Sequence, residues 1–224
     1  MMKRLSIFGF VICVLAMAPN VEAGPIYRLT LSSGPDSFIV NDGAILDGST
    51  VPGVVLFNGV VGGWAISVTT GLAGTNPLLH LNSVDMTFTG AGPLKIIWSA
   101  TDFSGPVEVG GLSSYVGGSL SEGGSLVYQA FAASNNLLDQ YQAENAVGPA
   151  LTFFGPGAFS GTVYGGPVLG GLYSVTQVAE LTAVKPGSTS FDAAVAVPEP
   201  GPMMLLGGGL LGLATLVRRR TKKN

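Results

Sequence analysis

The sequence predicts an all-β chain: a single β-sandwich or jelly-roll-like domain over residues 24–196 with one short helix inside it. A signal helix precedes that domain and a transmembrane helix follows it. Three observations lead there. Apolar and polar residues alternate with period two in stretch after stretch. Glycine, 34 of 224 residues, clusters in doublets that read as turns between strands. A single internal segment has helical spacing, which argues against a two-domain α/β protein.

In chain order, Met1 to Arg4 form a short basic start, and Leu5 to Ala18 are almost wholly apolar until Pro19 and Asn20 break the run. Val21-Glu22-Ala23 then has the small residues a signal peptidase reads, so a cut between Ala23 and Gly24 is expected. The apolar run falls short of the roughly 20 residues that span a bilayer, which disfavours a retained anchor. Cys13, the one cysteine, lies inside that run and would leave with the signal. The exported chain would then have no disulfide and no thiolate.

The first strand candidates are Tyr27 to Leu31, Val54 to Phe57 and Trp64 to Thr69. Val84, Met86 and Phe88 alternate with polar residues, as do Leu94, Ile96, Trp98 and Ala100. With Gly90-Ala91-Gly92-Pro93 between them the two runs read as a β-hairpin. Ser125 to Ala132 and Leu151 to Phe154 follow. Tyr173 to Thr182 and Thr189 to Val195 form a second candidate pair around Lys185-Pro186-Gly187-Ser188, with Phe191, Ala193 and Val195 facing the core. The doublets at 62–63, 110–111, 117–118, 123–124, 165–166 and 170–171 have no constant period and are read as turns. The expected helix places Leu137, Leu138 and Tyr141 on one face, with Ser134 or Asn135 as cap and Gly148-Pro149 as stop.

At the carboxyl end the order of parts is reversed. Val197-Pro198-Glu199-Pro200 is followed by an apolar run over 201–217 and a basic tail over 218–224 that includes Arg218, Arg219 and Arg220. Seventeen residues at 1.5 Å each make a helix of roughly 25 Å, marginal for a ~30 Å hydrocarbon core. The arginines would stay on the cytoplasmic side, leaving the middle of the chain outside. Two prolines hold the neck extended, the form a protease binds. This Pro-Glu-Pro, glycine-rich helix and arginine cluster resembles the PEP-CTERM sorting signal of Gram-negative bacteria. The resemblance implies that an exosortase cuts near Pro198-Glu199-Pro200 and that the protein reaches the cell surface or extracellular matrix. Family members usually come from cells that make extracellular polysaccharide, so that polymer is a candidate partner beside exosortase and signal peptidase. The membrane itself is a transient partner through the carboxyl-terminal helix.

Charge sharpens the picture. The whole chain has 10 bases and 13 acids, net −3, but seven bases sit in the two end segments. Residues 24–196 retain Arg28, Lys95 and Lys185 against eleven acids, a net of −8. Such a domain is not expected to bind nucleic acid. With 47 % hydrophobic residues it is not a disordered linker either.

Side chains for catalysis are few. His80 is the only histidine, no Gly-x-Ser-x-Gly occurs, and the mature chain lacks the nitrogen and sulfur ligands of a zinc site. Asp36, Asp42, Asp47, Asp102 and Glu108 could in principle pair to hydrolyse a glycan, and Asn41-Asp42-Gly43 with Asp47-Gly48 could offer oxygens to calcium. Isolated surface acids and Asp-Gly turns are the simpler reading. Gly155-Pro156-Gly157 lacks the Lys-Ser/Thr of a phosphate loop. Trp64, Trp98, Tyr115, Tyr128 and Tyr164 could stack on sugars if exposed. The expectation is therefore a non-enzymatic structural component of the envelope or biofilm matrix, with no cofactor and no metal. A carbohydrate-binding module is the alternative, and a secreted hydrolase ranks below both.

Overall fold

The computed structural model describes residues 24–71, 78–105, 107 and 111–198. Among them twelve strands form: β1 (Tyr27–Ser33), β2 (Asp36–Asn41), β3 (Leu56–Val61), β4 (Trp64–Gly71), β5 (Leu79–Phe88) and β6 (Gly92–Phe103), then β7 (Leu112–Leu120), β8 (Gly124–Ala133), β9 (Leu151–Phe154), β10 (Gly157–Gly165), β11 (Tyr173–Ala183) and β12 (Gly187–Ala196). They make two six-stranded antiparallel sheets. The first has the order β2-β1-β6-β11-β8-β9 and the second β10-β7-β12-β5-β4-β3.

Within this order, β5 to β12 divide between the sheets as β5-β12-β7-β10 and β6-β11-β8-β9. That is the strand order of an eight-stranded jelly roll. β1–β2 widens one sheet beside β6, and β3–β4 widens the other beside β5. The inner faces are apolar because the alternation is strict where it matters. Leu94, Ile96, Trp98 and Ala100 are at most 1 % exposed, and Phe191, Ala193 and Val195 at most 2 %.

Three sequence expectations change here. Neither expected hairpin forms: β5 pairs with β4 and β12, whereas β6 pairs with β1 and β11. Likewise β11 and β12 lie in different sheets. Both connections are arches that cross the core, so the apolar faces meet across the sandwich instead of side by side. Alternation is the same in either case and does not choose the partner.

The expected helix at 134–147 is also absent, apart from one 3-10 turn at Ala143–Asn145. Asn136 and Asp139 have φ of 53° and 59°, which no right-handed helix tolerates. The Asn135 side chain accepts the Leu137 N–H at 3.2 Å, and the Asn136 side chain accepts the Asp102 N–H at 2.8 Å. These side-chain bonds outcompete the helix ladder. Finally, Gly117-Gly118 is no turn but the middle of β7. The signal helix (1–23) and the transmembrane helix (201–217) lie outside the described residues. No helix of the described residues is long and apolar enough to cross a membrane.

A buried polar network ties the two sheets together at mid-core. The Ser114 hydroxyl (β7) donates to Tyr128 Oη (β8) at 3.1 Å, and Tyr128 donates to Gln177 Oε1 (β11) at 2.9 Å. Gln177 Nε2 then donates to the Leu79 carbonyl (β5) at 3.0 Å. Burial pushes the Tyr128 hydroxyl well above the usual tyrosine range, and the Ser114 bond offsets that slightly.

Candidate functional site

The two outer faces differ, and the difference locates the site. On the first sheet the outward residues Ile97, Phe131 and Val178 would be a wet apolar patch, yet each is at most 7 % exposed. The β8–β9 connection, residues 134–150, straps across them. Ala146 packs on this cluster, and the Tyr141 ring meets Phe131 at 6.3 Å with Lys95 Nζ 4.8 Å above it. Asp139 anchors the strap to Arg28 at 3.2 Å and donates its N–H to the Ser99 hydroxyl at 3.0 Å. Nothing comparable lies over the second sheet among the described residues.

That open face forms a groove of about 630 Å³. One register row crosses all six strands as Asn58, Ser67, Asp85, Ser190, Ser119 and Ala158. A neighbouring row holds Val60, Ala65, Thr87 and Ser188. Hydroxyls and small side chains thus line the groove, with the Asp85 carboxylate opposite Ser67 and Ser190. The Ser119 and Ser190 hydroxyls share a hydrogen bond of 3.3 Å.

Beside the groove, β5 carries one extra residue. The register slips against both neighbours around Asn82-Ser83, where Ser83 takes φ 60°. A bulge of this kind bends its strand. Asp192 on β12 holds it by accepting the Ser83 N–H at 2.6 Å. Beyond the bulge lies Tyr115, in register with Ala194 and Thr162. Its ring lies along β7 over Gly117, where a Cβ would fall 2.3 Å from the tyrosine oxygen. Only glycine leaves room for that flat ring. Tyr115 is 43 % exposed, and Tyr164 on β10 is 65 % exposed on the same outer face.

The structure separates the other sequence candidates. Trp64, Trp98 and Tyr128 are core residues, at most 3 % exposed, so they offer no surface for stacking. His80 is half-buried on the outer face, in register with Ala194 and Gly71, and no hydrogen bond from a serine or carboxylate reaches its ring among the described residues. The candidate acids are scattered and occupied with backbone. Asp36 accepts the Gly62 N–H at 3.1 Å and Asp42 the Gly53 N–H at 2.8 Å. Asp47 accepts three amides, from Gly43, Ser49 and Leu56, each at 2.9 Å.

Asp102 sits at a second bulge with φ 64°, its carboxylate bonded to Asn136. The described residues bring no three histidine, cysteine, aspartate or glutamate side chains together. Sequence reasoning missed Asp85, Asp192 and the serine row. The phase jump from Leu79 and Leu81 to Val84, Met86 and Phe88 was the available signal for the bulge.

At the ends, Gly24 is exposed three residues before β1, and Ala23 lies outside the described residues. Val197 is half-buried against the core directly after β12, and Pro198 is exposed. Glu199, Pro200, Arg218, Arg219 and Arg220 lie outside the described residues, as does Glu108.

Comparison with known proteins bears on the carboxyl end first. The PEP-CTERM protein-sorting motif matches residues 196–220, so the chain carries that motif, beginning at the last residue of β12. The motif indicates an exported protein sorted by an exosortase, anchored at its carboxyl end and then placed at the surface or outside the cell. No curated protein matches the chain. Among solved structures, TmCBM61 in complex with β-1,4-galactotriose is similar with a TM-score of 0.39 and 9 % identity, covering 61 % of this chain and 90 % of that one. The enzymatically active domain of tailspike protein 4 from bacteriophage CBA120 gives a TM-score of 0.36 and 14 % identity, with 61 % of this chain covering 20 % of that protein.

Proposed function

We propose that the chain is a non-enzymatic surface or matrix protein: a signal segment at 1–23, a sandwich at 24–196 and a sorting segment at 197–224. Signal peptidase would release the amino end at Ala23–Gly24, and exosortase would act at Pro198-Glu199-Pro200. The observation that supports this most is the sorting motif starting where the last strand ends. Replacing Pro198, Glu199 and Pro200 together with alanine tests it by immunoblot of cell fractions. The unprocessed precursor is expected to accumulate in the membrane. Processing and release at the wild-type level would overturn the reading.

A second reading concerns what the sandwich holds. The open groove, its serine and threonine hydroxyls and the flat Tyr115 ring fit a neutral glycan chain. Hydroxyls exchange hydrogen bonds with sugar hydroxyls, and an aromatic face covers the apolar face of a sugar ring. A net charge of −8 over 24–196 disfavours a polyanionic glycan. Affinity electrophoresis of the exported protein in gels containing neutral extracellular polysaccharide should show retardation. Asp85→Asn should weaken it about tenfold, since hydrogen bonds to a charged group are worth about 1.5–3 kcal/mol. Equal mobility with and without polysaccharide would rule the groove out.

A further inference from the structure

Large exposed apolar side chains gather at one end of this sandwich, the end where the chain leaves it. The short connection 184–186 puts the end of β11 and the start of β12 together, so β12 finishes at the opposite end. There the Ala196 carbonyl accepts the Ser113 hydroxyl at 3.2 Å, and the Val195 carbonyl accepts the Leu78 N–H at 2.8 Å. Antiparallel pairing brings the starts of β1 and β11 to the same end, with Tyr27 opposite Ala100 and Tyr173 opposite Phe103.

Three segments lie at this end: 24–26 before β1, 42–55 between β2 and β3, and 166–172 between β10 and β11. They carry Ile26, Ile45, Leu46, Val51, Val168 and Leu172, each half or more exposed. A Cβ added to Gly24, Gly43, Gly170 or Gly171 would meet no atom within 4 Å, so these segments stand clear of the body. None of the three contains a lysine or arginine. Their two acids are turned to backbone amides, Asp42 to Gly53 and Asp47 to Gly43, Ser49 and Leu56. The opposite end instead carries the Lys185–Glu122 ion pair at 2.7 Å. Apolar surface grouped in this way marks a contact face.

What it faces follows from the tether. Residues 197–200 reach only about 14 Å when extended, and the apolar run 201–217 comes directly after them. A chain anchored through that run therefore holds these segments within the same reach of the bilayer. We infer that, while the chain is anchored, the three segments rest on the lipid surface and insert Ile45, Leu46, Val168 and Leu172 into its interfacial layer. This contact rests on the anchored precursor proposed above and adds the orientation of the sandwich upon it. The lipid it fits is zwitterionic, because segments without a basic residue on a body of net −8 gain nothing from an anionic surface. Little intrinsic affinity is needed, since a short linker supplies an effective concentration of roughly millimolar. Cutting the neck removes that concentration, so the contact ends when the protein is released.

Fluorescent labels at the two ends test this. The full chain with Cys13→Ala, made in a host without exosortase, is reconstituted in phosphatidylcholine vesicles that contain a nitroxide-bearing lipid. Ile45→Cys and Val168→Cys, each made singly, take an environment-sensitive dye at the tether end, and Phe154→Cys and Val184→Cys take it at the other. Vesicle flotation reports whether the chain is anchored, and unchanged far-UV circular dichroism confirms that each variant is folded. The tether-end labels should shift to the blue and be quenched by the nitroxide. The far-end labels, about 33 Å further out by the ten residues of β12, should do neither. Val168→Asp with Leu172→Asp should return the Ile45→Cys label to water. A chain that floats with all four labels in water, with all four quenched alike, or with the aspartate pair changing nothing overturns the inference and leaves the anchor standing. A chain that does not float removes the anchor and the inference with it.

Discussion

Tyr128 shows how much one hydroxyl can do inside a sandwich. It accepts from Ser114 and donates to Gln177, which in turn reaches the Leu79 carbonyl, so four strands of two sheets meet through it. Tyr128→Phe leaves Gln177 Oε1 without its donor in a dry core, at a cost of about 1–3 kcal/mol measured by urea denaturation. The hydroxyl titrates above its ordinary value of 10.0, chiefly because burial disfavours the phenolate. Burial likewise raises Tyr27, with Asp42 and Asp102 adding to it, and Tyr173. Between the unfolded and folded values the native state holds more protons than the unfolded one, so stability falls as pH rises there. Stability should therefore lose no tyrosine contribution below about pH 10 and decline above it, and the Phe variant should decline less steeply. None of this was legible in the sequence. A tyrosine on an alternating strand looks the same whether its ring faces water, as in Tyr115, or the core, as in Tyr128.

At the scale of elements, the strap at 134–150 was misread because Leu137, Leu138 and Tyr141 do have helical spacing. Short polar side chains decided otherwise. Asn136 takes a left-handed conformation and satisfies the bulged Asp102 N–H. Asn136→Ala removes that bond and disfavours the backbone, so stability should drop by about 1–2 kcal/mol, with faster proteolytic cutting inside 134–150. Asn136→Gly keeps the conformation and should cost less. Melting temperature and digestion rate together separate the two effects.

The strands themselves were readable wherever β-branched and aromatic residues alternate, as in β5, β6 and β12. β2, β7 and β10 were missed. β7 is built largely from glycine and serine, which carry little strand signal, and contains a glycine doublet that mimics a turn, whereas in β10 three glycines interrupt the strand formers Phe159, Thr162, Val163 and Tyr164. The groove was illegible for a related reason. Its lining comes from five strands, of which β12 and β7 join β5 only after the arches have closed, and small serines acquire meaning only in a row.

At the scale of the molecule, the reading that succeeded best needed no fold at all. The order of apolar, proline-bearing and basic segments marks the carboxyl end directly, and residues 196–220 match the sorting motif. Sandwich architecture followed from alternation, but the pairing of strands did not. The chain crosses from one sheet to the other between β2 and β3, β5 and β6, β6 and β7, β7 and β8, β9 and β10, β10 and β11, and β11 and β12. Each crossing trades a local partner for a distant one, and only the closed core makes that choice. Charge followed the same division. The near-neutral total hides a sandwich of net −8 between two basic ends.

The position of β12 has a mechanical consequence. It is an inner strand, bonded to β7 on one side and β5 on the other, and the sorting motif starts at its final residue. The four residues 197–200 between β12 and the apolar run reach only about 14 Å when extended, so a body tethered through this end stands close against whatever holds it. Tension on that tether runs along β12, across two ladders of hydrogen bonds lying perpendicular to the pull. Those bonds load together in shear instead of opening one after another like a zipper. Drag on the protein therefore meets its resistance at the middle of a sheet.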